Sequence, residues 1–171
     1  MKTMSSTKEQ DFEKKLKAFH RRSSRHVLVL ETTMSHKDKC KVFHYADLIR
    51  KAGNELVAIM NNHLKQLCKT KKYKQLKSLY AKSYKAKDHA KCKHIASQLN
   101  ELYEKYNLTK RYCEKAMIPI GKKYHIGSVF ACSKAEDVWK GVEKCLFSKG
   151  RTLRFSKYNE LPVIRAKQDI R

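Results

Sequence analysis

The most distinctive chemical feature of this sequence is a run of lysines with almost no acidic residue among them. Between residues 65 and 93 the only carboxylate is Asp88. The lysines of this run are Lys65, Lys69, Lys71, Lys72, Lys74, Lys77, Lys82, Lys85, Lys87, Lys91 and Lys93. An ammonium group on a flexible stem makes point contacts with phosphate oxygens, and such contacts carry no base specificity. The run therefore predicts a surface that binds a nucleic-acid backbone with an affinity that falls steeply with salt.

A second group of cations follows near the C-terminal end of the sequence. These residues are Arg151, Arg154, Lys157 and Arg165. Residues 151–155 alternate between apolar and polar side chains, a pattern typical of a β-strand. A guanidinium group can bind a phosphate through two parallel hydrogen bonds. We therefore expect the strand that carries these cations to lie against RNA.

The charge of the whole chain has the same sign. It carries 40 Lys and Arg against 16 Asp and Glu, a formal charge of +24 on 171 residues. A compact domain with this charge repels itself, so a polyanionic partner is expected. The hydrophobic content of 41% is typical of a folded domain and not of a disordered chain. The alternative of a basic helical bundle with no nucleic-acid ligand stays open.

No sequence feature indicates a membrane or a secretory route. No stretch approaches the ~18 consecutive apolar residues of a membrane-spanning helix, and the N-terminal residues lack the apolar core of a signal peptide. The cysteines are widely spaced and form no CxxC pair. We therefore expect reduced thiols in a cytoplasmic protein, with association with the nucleoid as a further possibility, and no membrane partner.

Catalytic motifs are absent from the sequence. It contains no GxGxxG, GxxxxGK[ST], HExxH or GxSxG pattern. Its carboxylates are sparse and scattered, so neither a paired-acid hydrolase nor a two-metal nuclease site is indicated. His89, Cys92 and His94 are close in sequence, but His94 does not share a helix face with the other two. We therefore expect no catalytic residue, no metal site and no cofactor.

Most of the cations must be positioned by helices. Apolar residues recur at intervals of three and four over residues 36–68, which predicts the longest helix. Residues 69–106 predict basic helices with a bend near residues 85–90. A short helix over residues 109–117 is expected to end before Pro119, because the residue before a proline avoids the helical conformation.

One aromatic stripe accompanies the lysines. Tyr73, Tyr80 and Tyr84 recur at helical spacing within the basic helices. Such a stripe is most often part of a core, and the alternative is a partly exposed surface on which bases stack. The sequence leaves both interpretations open.

Two strands are predicted to flank the helices. The apolar and β-branched run at residues 26–34 predicts the first. Ser133 and Glu136 form a capping-box pattern that predicts the start of the last helix. That helix leads through a turn into the second predicted strand, residues 151–165.

The order of strand, basic helices and strand resembles that of a known family. The long helix reads K-x-x-V-F-x-Y-A-D-L-I-R-x-A-G-N-E-L, and the later stretch reads VWKGVEKCLFSKGRTLRFSKYNELPVIRAKQ. In these stretches the chain resembles the N-terminal half of TnpB-like RNA-guided nucleases of the OrfB insertion-sequence family and of type V CRISPR effectors. The resemblance implies an oligonucleotide-binding wedge β-barrel that is interrupted by a helical recognition lobe.

This resemblance sets the expected fold. We expect a mainly α fold with a small β part, in which a helical lobe is inserted between the strands of a partial oligonucleotide-binding-type β-barrel. Residues 1–24 would form a basic N-terminal helix or arm. Residues 25–34 and 148–171 would form the wedge-like β part, and residues 35–147 the helical recognition-like lobe.

The resemblance also implies the ligand. Members of the family hold a guide RNA and an RNA–DNA heteroduplex through shape and backbone contacts. Because the family's RuvC nuclease domain would follow Arg171, we expect a truncated or split relative that binds nucleic acid, RNA in preference to DNA, without catalysis. One alternative is a subunit of a split RNA-guided DNA endonuclease whose catalytic half is a separate polypeptide. The other is a basic helical protein-interaction or regulatory bundle.

Overall fold

A computed structural model describes residues 33–148, 150 and 152–158 of the chain. The chain divides into two compact units, Met1–Ser35 and His36–Arg171. The predicted arm at residues 1–24 and most of the predicted strand at residues 26–34 lie outside the described residues. All the described helices belong to the second unit.

Helices make up about 81% of the described residues. They are α1 (His36–Lys69), α2 (Lys71–Lys85), α3 (His89–Lys105), α4 (Lys110–Lys123) and α5 (Ser128–Phe147). The contacts pair α2 with α3 and α4 with α5 as two helical hairpins, and both hairpins pack against α1. At a rise of 1.5 Å per residue, α1 is about 51 Å long, which is enough to carry both hairpins. None of the helices in the described ranges is long and apolar enough to cross a membrane.

The core lies along one face of α1. The residues of α1 buried there are Ala46, Ile49, Ala52, Leu56, Val57, Met60, Leu64 and Leu67. They recur at three and four, so they form the single apolar stripe that a core-facing helix needs. The helix predicted over residues 36–68 is therefore confirmed, and it ends one residue later, at Lys69.

The predicted bend in the basic helices is also confirmed. α2 ends at Lys85, and the turn that follows contains Lys87 in the left-handed conformation, with φ 55°. The side chain of Asp88 then accepts a hydrogen bond from the backbone N–H of Lys91 at 3.0 Å and caps α3. The turn and the cap together separate α2 from α3.

Two predicted helix boundaries are wrong. α4 continues through Pro119, which lies on its exposed side, where water can bond the carbonyl that proline leaves unpaired. Ser133 does not cap α5 but is buried inside it, because the helix already begins at Ser128. The N–H of Gly127 donates to the Tyr45 hydroxyl of α1 at 3.0 Å. A contact between distant residues thus holds the start of α5.

The predicted partial β-barrel is wrong. The described ranges contain no strand and no sheet, and residues 33–35 and 152–158 are neither helix nor strand. Residues 152–158 are here called the C-terminal arm. They are the described part of the predicted strand 151–165, and the other residues of that strand lie outside the described ranges. The arm contacts α1 and α5 instead of a neighbouring strand.

Two asparagines of α1 take the place of that neighbouring strand. The Asn61 side-chain amide donates to the Leu153 carbonyl at 3.1 Å and accepts from the Leu153 N–H at 2.9 Å. Asn54 makes the same pair of bonds with Ser156, at 3.0 and 2.9 Å. Seven helical residues rise about 10.5 Å, and three extended residues span about 10 Å. The distance between the two side-chain amides along α1 therefore matches the distance between Leu153 and Ser156 in an extended backbone.

The Leu153 side chain anchors the arm in a slot between α1 and α5. Leu153 is buried, whereas Phe155 is 54% exposed, so the predicted alternation of buried and exposed faces is not realised. A Cβ atom on Gly141 would lie 2.8 Å from the Cδ2 of Leu153. The missing side chain at Gly141 thus makes the room in α5 that Leu153 fills.

A carboxylate joins α1 to the end of α4. The Oε2 of Glu55 accepts hydrogen bonds from the Lys123 ammonium at 2.8 Å and from the Tyr124 hydroxyl at 3.0 Å. The bond from Lys123 contributes most to holding the pKa of Glu55 below its ordinary value, desolvation opposes it, and Tyr124 adds to the lowering. Because the pKa is lower in the folded state, this stabilisation is present above the unfolded pKa and is lost as the pH falls through the folded pKa.

We expect the Glu55→Gln variant to lose part of the acid dependence of folding. Its free energy of unfolding should decrease less than that of the wild type between about pH 5 and pH 3, because the titrating carboxylate is gone. Urea titrations across this range measure the difference. Glu104→Gln, an exposed change on α3, is the control and should follow the wild type. An unchanged pH dependence in Glu55→Gln would contradict the coupling.

Candidate nucleic-acid interface

The predicted lysines occupy the end of α1, all of α2 and the start of α3. Lys65 and Lys69 lie on the last two turns of α1, and Lys91 and Lys93 lie on the first turns of α3. The others lie on α2 or in the turn after it. All eleven side chains are exposed except that of Lys77, which is half-buried. The structure thus presents most of the run to solvent on consecutive helices.

The outward face of α2 is a stripe of lysines. Tyr73 and Leu76 are buried, and they mark the side of α2 that packs against the rest of the protein. On the opposite side, by helical periodicity, lie Lys71, Lys74, Lys82 and Lys85. This α2 lysine stripe is about 21 Å long at 1.5 Å per residue.

Carboxylates are missing where these lysines lie. No acidic residue occurs between residues 56 and 87. Lysines elsewhere form ion pairs: Lys51 with Asp47 (2.9 Å), Lys91 with Asp88 (3.0 Å) and Lys123 with Glu55 (2.8 Å). None of the exposed lysines between residues 65 and 87 pairs with a carboxylate of the described part of the chain. Their charge is therefore not offset within that part of the protein.

Two of the predicted residues have partners of their own. The Lys77 ammonium donates to the Leu146 carbonyl at 2.5 Å, in the last turn of α5, and lies 5.9 Å from the centre of the Tyr73 ring. A cation at the carbonyl end of a helix is stabilised by the helix dipole, so Lys77 holds α2 against α5. Lys91 is the ion-pair partner of Asp88.

The remaining lysines between residues 65 and 87 are exposed on consecutive elements and are here together called the lysine face. It consists of Lys65, Lys69, Lys71, Lys72, Lys74, Lys82, Lys85 and Lys87. Lys93 is exposed as well and lies on the neighbouring helix α3.

The second group of predicted cations is described only in part. Arg154 and Lys157 are exposed in the C-terminal arm, and Arg151 and Arg165 lie outside the described residues. The bonds of Asn54 and Asn61 hold the arm alongside α1. Lys65 follows Asn61 by four residues, so the two share a face of the helix. The structure thus brings the arm and the start of the lysine face to the same helix.

Sequence reasoning missed the two asparagines that position the arm. Asn54 and Asn61 are seven residues apart, two turns of helix, and both fall next to the apolar stripe of α1. Asn61 is only 9% exposed. A polar amide that repeats at this spacing within a buried stripe is the signal that could have indicated a backbone-binding role, because buried amides require hydrogen-bond partners.

The described residues form neither a candidate metal site nor a disulfide. They contain no group of three or more His, Cys, Asp or Glu side chains that could hold a metal ion. All six cysteines are free thiols. Burial raises the pKa of the Cys113 thiol to about 12, so this group is protonated and unreactive at neutral pH.

Known proteins add nothing to this description. Comparisons of the chain with protein-family models, with curated proteins and with solved structures found no match.

Proposed function

We propose that this protein is a non-catalytic nucleic-acid-binding module that holds a phosphate backbone, RNA in preference to DNA, on the lysine face. One observation carries the proposal. The lysine face presents its ammonium groups to solvent, and no carboxylate of the described chain is paired with them. Arg154 and Lys157 of the arm would extend the same surface along α1.

The charge distribution favours a ligand over a merely solvated surface. Like charges three or four residues apart on a helix destabilise it by about 0.2–0.5 kcal/mol per pair. The α2 lysine stripe contains two such pairs, Lys71 with Lys74 and Lys82 with Lys85. A polyanion relieves this repulsion and releases its own counterions on binding.

The preference for RNA is supported by the resemblance of α1 and of residues 138–168 to RNA-guided nucleases. A guide RNA or an RNA–DNA heteroduplex is the ligand class that this resemblance implies. The support comes from the helical stretches, since the expected barrel is wrong. A cytoplasmic location is part of the proposal, and it agrees with six free thiols, because disulfides are rare in that compartment.

The salt dependence of RNA binding tests the proposal. Fluorescence anisotropy with a labelled RNA measures the association constant at several salt concentrations. Contact with about six phosphates predicts a slope of log K against log salt of about −4 to −5. A DNA of the same sequence should bind more weakly. A slope near zero would contradict the proposal, and recovery of an acidic protein without nucleic acid from cells would favour the protein-interaction alternative.

A further inference from the structure

One tyrosine of the aromatic stripe on α2 is left outside the core. Tyr73 is buried, whereas Tyr84 is 71% exposed at the end of the same helix. Its ring is stacked on that of Tyr80, with an angle of 18° between the planes and 6.4 Å between the centroids. Burial of an aromatic ring is favourable. The fold nevertheless leaves most of the Tyr84 ring open to solvent.

Two lysines follow this ring closely along the chain. Lys85 is the next residue and ends α2, and the backbone N–H of Lys87, in the turn, donates to the Tyr84 carbonyl at 3.1 Å. The carboxylate nearest in sequence is that of Asp88. It accepts the backbone N–H of Lys91 and pairs with the Lys91 ammonium, each at 3.0 Å, so its charge is already offset. The end of α2 therefore combines a flat aromatic surface with ammonium groups that this carboxylate does not neutralise.

We propose that the end of α2 binds single-stranded nucleic acid, with Tyr84 stacked on a base and with Lys85 and Lys87 on the neighbouring phosphates. This inference rests on the proposed function and adds the strandedness of the ligand. Aromatic rings bind bases by stacking only where the face of a base is free. In a duplex both faces of an internal base are covered by its neighbours, so a duplex meets the lysines but not the ring.

Tyr80 serves as the support of this site. It is half-buried and packs against the core, and its ring lies nearly parallel to that of Tyr84. A ring held in this way loses little conformational freedom when a base stacks on it, which favours binding. The spacing of four residues between the two tyrosines places both on one side of α2.

Matched variants of the full chain test the inference. Binding is measured by anisotropy with a labelled 12-nucleotide RNA of mixed sequence and with the same strand in an RNA duplex, at one salt concentration. We expect Tyr84→Ala to lower the affinity for the single strand about 5- to 150-fold and to leave the duplex nearly unchanged. Tyr84→Phe retains the ring and should bind like the wild type. Phe43→Ala removes another exposed aromatic ring, 53% exposed near the start of α1 and far along that helix from Lys65, and is the control.

The outcomes separate this inference from the function on which it rests. An equal loss on single strand and duplex, or no loss on either, would overturn the stacking site. The proposed function would then still stand if the wild type bound RNA with a steep salt dependence. Absence of binding to both RNAs by the wild type would overturn both proposals. Because Tyr84 is exposed, an unchanged urea midpoint is expected in the variants, and a lowered one would assign Tyr84 a structural role and overturn the inference.

Discussion

Replacement of the four lysines of the α2 lysine stripe by glutamine is expected to lower the affinity for RNA about 100- to 4,000-fold at about 0.1 M salt. Each phosphate contact adds about −0.7 to −0.9 to the slope of log K against log salt, which is a factor of about 5 to 8 at this concentration. Three or four lost contacts give the stated range, and the slope should become shallower by about 2 to 4. Anisotropy titrations at several salt concentrations measure both quantities.

The matched control removes the same amount of charge elsewhere. Lys39, Lys115, Lys122 and Lys140 are exposed on α1, α4 and α5. Their replacement by glutamine should change the affinity less than about fivefold, since charges farther away than the Debye length of about 10 Å are screened. An equal loss in the two variants would show that the net charge, and not the lysine face, attracts the ligand. The stripe variant should be at least as resistant to urea as the wild type, because it removes like-charge repulsion.

The Asn61→Ala change is expected to release the C-terminal arm. It removes two hydrogen bonds and leaves the N–H and C=O of Leu153 without their partners. Local opening of the arm should become easier by about 2 kcal/mol. The Leu153 amide should then exchange its hydrogen about 30-fold faster, which exchange experiments on the native protein detect.

The neighbouring asparagine provides the control for this change. Asn62 is exposed and follows Asn61 directly, so Asn62→Ala should leave both exchange and stability within about 0.5 kcal/mol of the wild type. Similar exchange in the two variants would contradict the role given to Asn61. If Arg154 and Lys157 contact RNA from the held arm, Asn61→Ala should also make the salt slope of RNA binding shallower by up to about 2.

The helices that carry the lysine face could be predicted because their signals are local. The apolar stripe of α1 repeats over about six turns, and a pattern of that length is realised in almost any packing. The exposure of most lysines could also be predicted, since no acidic residue lies near them in sequence. The bend after α2 was predictable for the same reason, because the register of the apolar residues changes there.

The C-terminal arm could not be predicted in this way. An alternation of five residues is compatible with a strand or with an extended segment bound to side chains, and the partner decides between the two. Its partners are Asn54 and Asn61, about a hundred positions earlier in the chain. Only the packing of α1 against α5 brings Asn61 to Leu153 and Asn54 to Ser156. The start of α5 likewise depends on Tyr45, a distant residue of α1.

The candidate site likewise has features that follow from the local sequence and features that depend on distant contacts. Charge and helical periodicity are properties of neighbouring residues, so the primary structure was enough to locate the lysine run and to predict its exposure. The tertiary contacts decided which members of the run have partners within the described part of the protein. Lys77 is bound to the end of α5, and Tyr84 is exposed although Tyr73 of the same stripe is buried. Such assignments require the contacts between helices, since no local pattern shows that Lys77 reaches the Leu146 carbonyl or that Tyr84 is left outside the core.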